Sequence, residues 1–469
     1  MNLPSKRRPL LAAVILCVAL VALDGTIVSP AVPSIANDLG GFTQFPWLFS
    51  IFLLAQAVTI PVFAKLSDLI GRKPVMLTGV GAFVLGSVGC GLASSMPALI
   101  AFRALQGLGA GAIQPTALTI VGDVQPSAKR AKIQGYLASV WAIAAVVGPT
   151  LGGLFVDYVG WRWIFWINLP LGVAAGWFLV RGIDERVDRV RPQFDLAGAG
   201  SLAVGTALLI SALLQGGVGW SWRSIPSVTL FGLAAAVLVG FVLIERQAEA
   251  PVLPGWLFQS RLLNTANTAG LAIGIILIGS VSAIPLYAQG VLGTSALVGG
   301  FVVAALAVGW PLSAALASRI YLRIGFKRTA ILGAVLLSAG TILLALITPD
   351  LPVWYLVIIC FLLGTGLGLT AVSTLLAAQS SVDWGRRGVV TGTGVFARLM
   401  GSAVGIAAFG AITNTGLNAR LGGSIMASTS NVAPATLDSA LQPVFAVTVG
   451  VAALALLAVV VMPQSTAAD

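Results

Sequence analysis

Two charged residues stand where the surrounding sequence is built for hydrocarbon: Asp24 in the first apolar run and Arg103 in the fourth. Asp24 is the only acid well inside such a run, the others lying in loops or near the ends of runs. A charge in lipid costs at least about 2.5–3.5 kcal/mol on insertion scales, so such a residue is a functional candidate by default. Burial favours the neutral carboxyl and a nearby cation favours the ionised one. An aspartate with one face on a wettable cavity can therefore alternate between the two forms and carry a proton. Counting along the helices puts Asp24 roughly 9 Å and Arg103 roughly 8 Å below the same surface, at 1.5 Å per residue. The two are expected to meet, directly or through a water, with Arg103 tuning Asp24. A static pair that only holds two helices together is the competing reading.

Other chemistry is missing. With no histidine, an imidazole relay, a His-containing metal site and a Ser-His-Asp triad are all excluded. Cys17, Cys90 and Cys360 are far apart in apolar segments, which is neither disulfide nor zinc spacing. No G-x-x-x-x-G-K-[ST] loop is present for a nucleotide phosphate. No metal and no cofactor are expected, and no cluster of nucleophile and base marks an enzyme.

The elements that must position Asp24 and Arg103 follow from composition. Of 469 residues 58% are hydrophobic and 9% charged, against roughly a quarter charged in a soluble chain. The formal charge of +11 comes from small basic groups scattered between apolar runs, not from the clustered face that nucleic acid needs. A membrane helix takes about 20 mostly apolar residues. Fourteen runs qualify: 9–30, 47–64, 75–94, 98–121, 134–156, 162–181, 196–216, 226–245, 263–289, 296–317, 329–348, 353–377, 389–414 and 441–462. The first is read as a span and not a cleaved leader, since it is long, lacks a small-residue cleavage site and contains Asp24. Placing the N-terminus in the cytoplasm puts 21 of the 26 basic residues on the inner side and only Arg162, Arg223 and Arg420 outside. Both ends are then cytoplasmic.

The chain also repeats. A shift of 257 aligns Gly107, Gly109 and Gly111 with Gly364, Gly366 and Gly368, and Gly148 with Gly405. A shift of 254 brings the loop at Asp68–Lys73 onto Leu322–Lys327. The expected organisation is an all-α polytopic protein: a six-helix bundle in 1–181, a linker with two further helices in 182–262, and a second six-helix bundle in 263–469. Paired halves around a central cavity are a transporter architecture.

Three further groups are singled out. In Ala64-Lys-Leu-Ser-Asp-Leu-Ile-Gly-Arg-Lys73, Gly71 permits a tight turn and Asp68 can face the positive end of a helix. Arg72 and Lys73 can pair with an acid, Asp123 being the expected one, so that the cluster latches the inner face in one state. An ordinary positive-inside loop is the alternative. In helix five, Pro149 would bend the helix, while Gly148, Gly152 and Gly153 offer a close-packing surface, suited to the seam between the halves or to generic packing. Gln56, Gln114, Trp141, Asn168, Tyr287 and Gln289 could line a mixed polar and aromatic pocket, or merely satisfy helix contacts. Arg398 could face the cavity, pair near the inner gate or snorkel to the cytoplasm.

These segments resemble a known family. The loop at Ala64–Lys73 is similar to the signature loop of the major facilitator superfamily. Arg103-Ala-Leu-Gln-Gly-Leu-Gly-Ala-Gly111 is similar to the family's fourth-helix motif and Gly148-Pro-Thr-Leu-Gly-Gly153 to its fifth-helix antiporter motif. Leu23-Asp-Gly-Thr-Ile-Val-Ser-Pro30 and Trp161-Arg-Trp-Ile-Phe-Trp-Ile-Asn-Leu-Pro170 resemble motifs of its fourteen-spanner drug:proton antiporter branch. The resemblance implies a multidrug efflux protein of the cytoplasmic membrane, working as a monomer by alternating access. Its partners would be protons, the bilayer and small lipophilic, cationic substrates. An exporter of lipids or metabolites, or a nutrient symporter of the same fold, is the alternative; a channel or membrane enzyme is a more distant one.

Overall fold

The computed structural model describes residues 8–28, 31–39, 46–124, 127–182, 195–215, 220–249, 251–294, 296–421 and 433–464. The side chains of Asp123 and Pro149 lie outside that description. Helices make up nearly all of it, with no β-strand among the described residues.

The first group is α1 (Arg8–Ile27), a short α2 (Val32–Leu39), α3 (Pro46–Ile70), α4 (Arg72–Leu92), α5 (Met96–Val124), α6 (Ser127–Tyr158), the single turn α7 (Trp163–Trp166) and α8 (Asn168–Gly182). Two helices follow, α9 (Leu196–Gln215) and α10 (Ile225–Gln247). The last group is α11 (Trp256–Gln259), α12 (Arg261–Gly290), α13 (Ala296–Ala345), α14 (Val353–Ser380), α15 (Arg387–Leu421) and α16 (Pro434–Val461). Each expected apolar run falls on helix. The run 162–181 is broken between α7 and α8, because Pro170 has no N–H to give the carbonyl of Trp166 one turn back.

Among the described residues eleven helices are long and apolar enough to cross a bilayer, and the apolar stretch Ala197–Leu213 of α9 is shorter. One of the eleven, Val298–Ala345, is 48 residues long and is two helices broken at Gly325. Large apolar side chains such as Leu85, Val173, Phe301 and Leu457 are more than half exposed. Backbone bonds closed within helices and apolar flanks turned outward suit lipid as the solvent.

Two sets of cores organise the chain. Leu20, Phe83 and Ile113 belong to one core of the first group, Ile27, Leu99 and Phe165 to another. Tyr287, Leu363 and Phe445 centre one core of the last group, Tyr321, Phe326 and Leu376 the other. The repeat is visible in the backbone. Gly71 (φ 101°) and Gly325 (φ 83°), 254 positions apart, each make the reversal between two long helices in a conformation that side-chain-bearing residues avoid. Gly107, Gly109 and Gly111 bring α5 against α3 and α4, and Gly364, Gly366 and Gly368 bring α14 against both parts of α13 in the same way.

Between the groups, α6 packs along α13, and α3 along α15. Ala57 of α3, Ile210 of α9 and Ala403 of α15 form a small shared apolar cluster, so α9 touches both groups. Val62 of α3 packs on Ala199 and Phe241 of α9 and α10.

Candidate functional site

Five helices converge on Asp24. Its carboxylate is fully buried and forms an ion pair with Nη1 of Arg103, itself 1% exposed. Arg103 Nε donates to the Leu48 carbonyl at 3.0 Å, and Nη1 also donates to Gln106 Oε1 at 2.9 Å. The guanidinium lies over the Phe52 ring, 4.4 Å from its centre. The other carboxylate oxygen accepts Gln106 Nε2 at 3.1 Å and Asn168 Nδ2 at 3.0 Å. Both amides also donate to Ser87 Oγ, at 2.6 and 3.1 Å. Thus α1, α3, α4, α5 and α8 share one polar knot inside an apolar bundle. One atom is left over: Asn168 Oδ1 is buried without a partner.

The geometry corrects one expectation. Asp24 has no face on a wettable cavity in this conformer; protein donors surround it on every side. Asn168, which could line a pocket or satisfy helix contacts, belongs to the same knot. Gln106 and Ser87 went unrecognised as site residues. Gln106, three residues after Arg103 on the same helix face, carried the only available signal.

The second cluster ties the two groups together. Asp68, near the end of α3, accepts the backbone N–H of Gly388 at 3.0 Å and of Val389 at 2.8 Å, the first free amides of α15. Arg72 pairs with Asp68 at 2.7 Å, donates to the Ser67 carbonyl at 2.6 Å and the Trp384 carbonyl at 3.2 Å, and stacks over the Trp384 ring at 4.3 Å. The Asp68 and Arg72 side chains are only 4% and 3% exposed. A carboxylate at a helix N-terminus meets both unsatisfied donors and the positive end of the dipole. Lys73 caps the other end of a helix, donating to the Val180 carbonyl of α8 at 2.8 Å. Gly71 makes the turn between α3 and α4. The expected pairing with Asp123 falls outside the described residues. Trp384, Gly388 and Val389 were not foreseen.

The remaining candidates disperse. Gly148 presses on Thr26 of α1, whose hydroxyl donates to the Ala144 carbonyl at 2.8 Å, so it packs within the first group and not at the seam. Gly152 is buried, and Gly153 has nothing near enough to close-pack. Gln56 donates to Gln114 at 2.8 Å, joining α3 to α5. Tyr287 is fully buried against Phe445 in a core of the last group, not on a pocket. Trp141 and Gln289 are exposed, and Arg398 is partly so.

Two pseudo-equivalent sets of apolar helices, joined at one end by a charged cluster and holding a buried ion pair, define a multi-pass membrane transporter. The family description Major Facilitator Superfamily matches residues 14–408, and the chain belongs to that superfamily. It is 36% identical over 404 residues to the multidrug transporter protein MdtP of Bacillus subtilis, covering 86% of this chain and 74% of that one. It is 31% identical over 408 residues to the tetracenomycin C resistance and export protein of Streptomyces glaucescens, covering 85% and 74%. The crystal structure of the human organic anion transporter MFSD10 (TETRAN) superposes with a TM-score of 0.66 at 16% identity, covering 97% of this chain and 100% of that one, a likeness of fold.

Proposed function

We propose that this protein is a proton-coupled exporter of small lipophilic compounds, and that Asp24 carries the proton. The relatives named for multidrug transport and for tetracenomycin C resistance and export support the export reading. The buried Asp24–Arg103 pair carries the coupling reading. In this conformer Arg103 lies against the carboxylate; a shift of α1 against α5 would separate the two and let the carboxyl exchange a proton. A neutral carboxyl needs an acceptor for its hydrogen. Asn168, turned about its amide, offers the oxygen that is now unpartnered. One proton crossing the full field releases about 2.3 kcal/mol per 100 mV, enough to drive accumulation.

In this reading the chain crosses the cytoplasmic membrane fourteen times, with both termini inside. Residues 1–181 and 263–469 are the rocking halves and 182–262 the inserted pair, in a unit working as a monomer. The Asp68–α15 latch then closes the cytoplasmic end. Preference for cations requires Asp24 as a bare carboxylate facing the cargo. Because Asp24 is sealed against Arg103, the geometry supports lipophilic cargo without that preference.

One observation favours a second reading: both carboxylate oxygens of Asp24 are satisfied by protein donors. The knot would then be a fixed brace, with coupling elsewhere. Purified protein in liposomes with an imposed pH gradient separates the cases. Uphill movement of a lipophilic dye that stops when the gradient is collapsed supports the exporter. Equilibration without accumulation contradicts it.

A further inference from the structure

The last group of helices holds one charge at mid-depth that no described residue answers. Arg398 lies 11 residues after the start of α15, roughly 16 Å along the axis and about halfway through a 30 Å hydrocarbon core. The contacts of α15 fix its direction. Gly401 and Gly405 abut α12 at Leu271 and Ile275, while Leu399 and Ala403 face α3 and α9. Thr391, two turns before Arg398 on the same face, accepts Gln379 Nε2 of α14 at 2.9 Å. Arg398 therefore projects into the interior between α12 and α14, and not toward lipid. It is enclosed by neighbouring helices yet partly reachable by solvent, as a residue on an internal cleft must be.

Its guanidinium makes no ion pair or hydrogen bond with any described residue. One turn away, Gly394 leaves open space, and Oδ1 of Asn267 on α12 stands 3.8 Å from where a side chain would begin. The Asn267 amide is partly exposed and likewise has no hydrogen-bond partner among the described residues. The obvious counter-charge is spent, since Asp24 is sealed against Arg103. A cation and a carboxamide, both unpartnered and one turn apart in an apolar bundle, form a receptor for an anionic group.

Resting on the exporter reading, we propose that Arg398, with Asn267 beside it, binds the carboxylate or sulfonate of an amphipathic organic acid during transport. The planar guanidinium offers two parallel N–H donors to such a group, Asn267 can donate a third, and apolar helix faces take the lipophilic body. A free guanidinium at this depth repels an ammonium group, so the inference reverses the charge preference expected for the cargo.

Three congeners test it: dansyl-glycine, its neutral amide, and dansyl-ethylenediamine, which share a ring system and differ in end charge. Binding to the full chain in lipid nanodiscs is read by energy transfer from its 12 tryptophans to the dansyl group. Wild type is expected to bind the carboxylate roughly ten- to a hundredfold tighter than the amide, the range for a hydrogen bond to a charged group. Arg398→Gln should abolish that preference and leave the amide's affinity unchanged, Arg398→Lys should keep part of it, and Asn267→Ala should reduce it. Removing an unpaired buried cation should not lower the melting temperature. Equal binding of the three congeners by wild type, an intact preference in Arg398→Gln, or a marked loss of stability in that variant overturns the assignment. Failure of gradient-driven uptake with the binding preference intact removes the exporter reading and leaves Arg398 as the anion site.

Discussion

Asp68 accepts the backbone N–H of Gly388 at 3.0 Å although 320 residues separate them in the chain. A methyl group at position 388 would run into the Asp68 carboxylate. Gly388→Ala should therefore push the latch open, while leaving the N–H itself in place. A charged group at a helix end contributes about 0.3–1 kcal/mol, and up to about 2 when partly buried. The population of the state closed at this end should fall by several-fold, read as a longer distance between spin labels placed on α3 and α15. An unchanged distance distribution would show that the latch does not hold the state.

Arg72→Lys keeps the charge but not the fork. Lysine cannot pair with Asp68, reach the Trp384 carbonyl and stack on the indole at once. The lost stacking alone is worth about 0.5–2 kcal/mol. The variant should resemble Gly388→Ala in the same distance measurement, and Trp384→Ala should give part of the effect.

At the opposite end, Asp38 of α2 accepts Trp161 Nε1 at 2.9 Å and Arg162 Nη1 at 2.8 Å. These hydrogen bonds and the Arg162 charge hold the Asp38 carboxyl below its ordinary value of 3.8. A depressed folded value means that the contact stabilises above the ordinary value and is lost as pH falls through the lower, folded one. Amide exchange in α2 should accelerate only in that acid range, and Asp38→Asn should remove the pH dependence.

How much of this was legible before the structure depended on what each residue's type reveals. Asp24 and Arg103 could be placed at one depth because a charge in an apolar run is conspicuous and helical rise converts residue counts to distance. Gly71 and Gly325 were legible through their nearly constant offset. Ser87 was not, because a neutral polar residue in a membrane helix has no mark that tells a network member from a local bond, and Gln106 had only its place one turn after Arg103 to mark it. The amides of Gly388 and Val389 were invisible for a plainer reason: every residue but proline has an N–H, and only the fold decides which are free. The type of Tyr287 left a pocket and a helix contact both open, and only helix rotation decided for a core against Phe445.

The Asp24 knot makes a clear energetic statement. Removing one partner of a buried pair costs about 3–5 kcal/mol, because the other charge is left uncompensated. Arg103→Gln should thus lower stability sharply, while the double variant with Asp24→Asn should recover much of the loss. A thermal-unfolding cycle over the four proteins checks it. Additive losses would mean that the two side chains do not act as a pair.

The most direct measurement is proton-driven transport by Asp24→Asn, in liposomes holding wild type and variant at equal amounts and matched orientation. Asparagine retains the shape and can still accept from Gln106 and Asn168, but it cannot exchange a proton. The uncompensated Arg103 charge lowers the stability of this variant too, so the comparison is made on its folded fraction. If Asp24 carries the proton, that fraction exchanges cargo down its gradient, yet accumulates nothing when a pH gradient is imposed and moves no protons with cargo. Accumulation at the wild-type level, with protons still moving, would contradict the account and leave the Asp24–Arg103 pair as a brace.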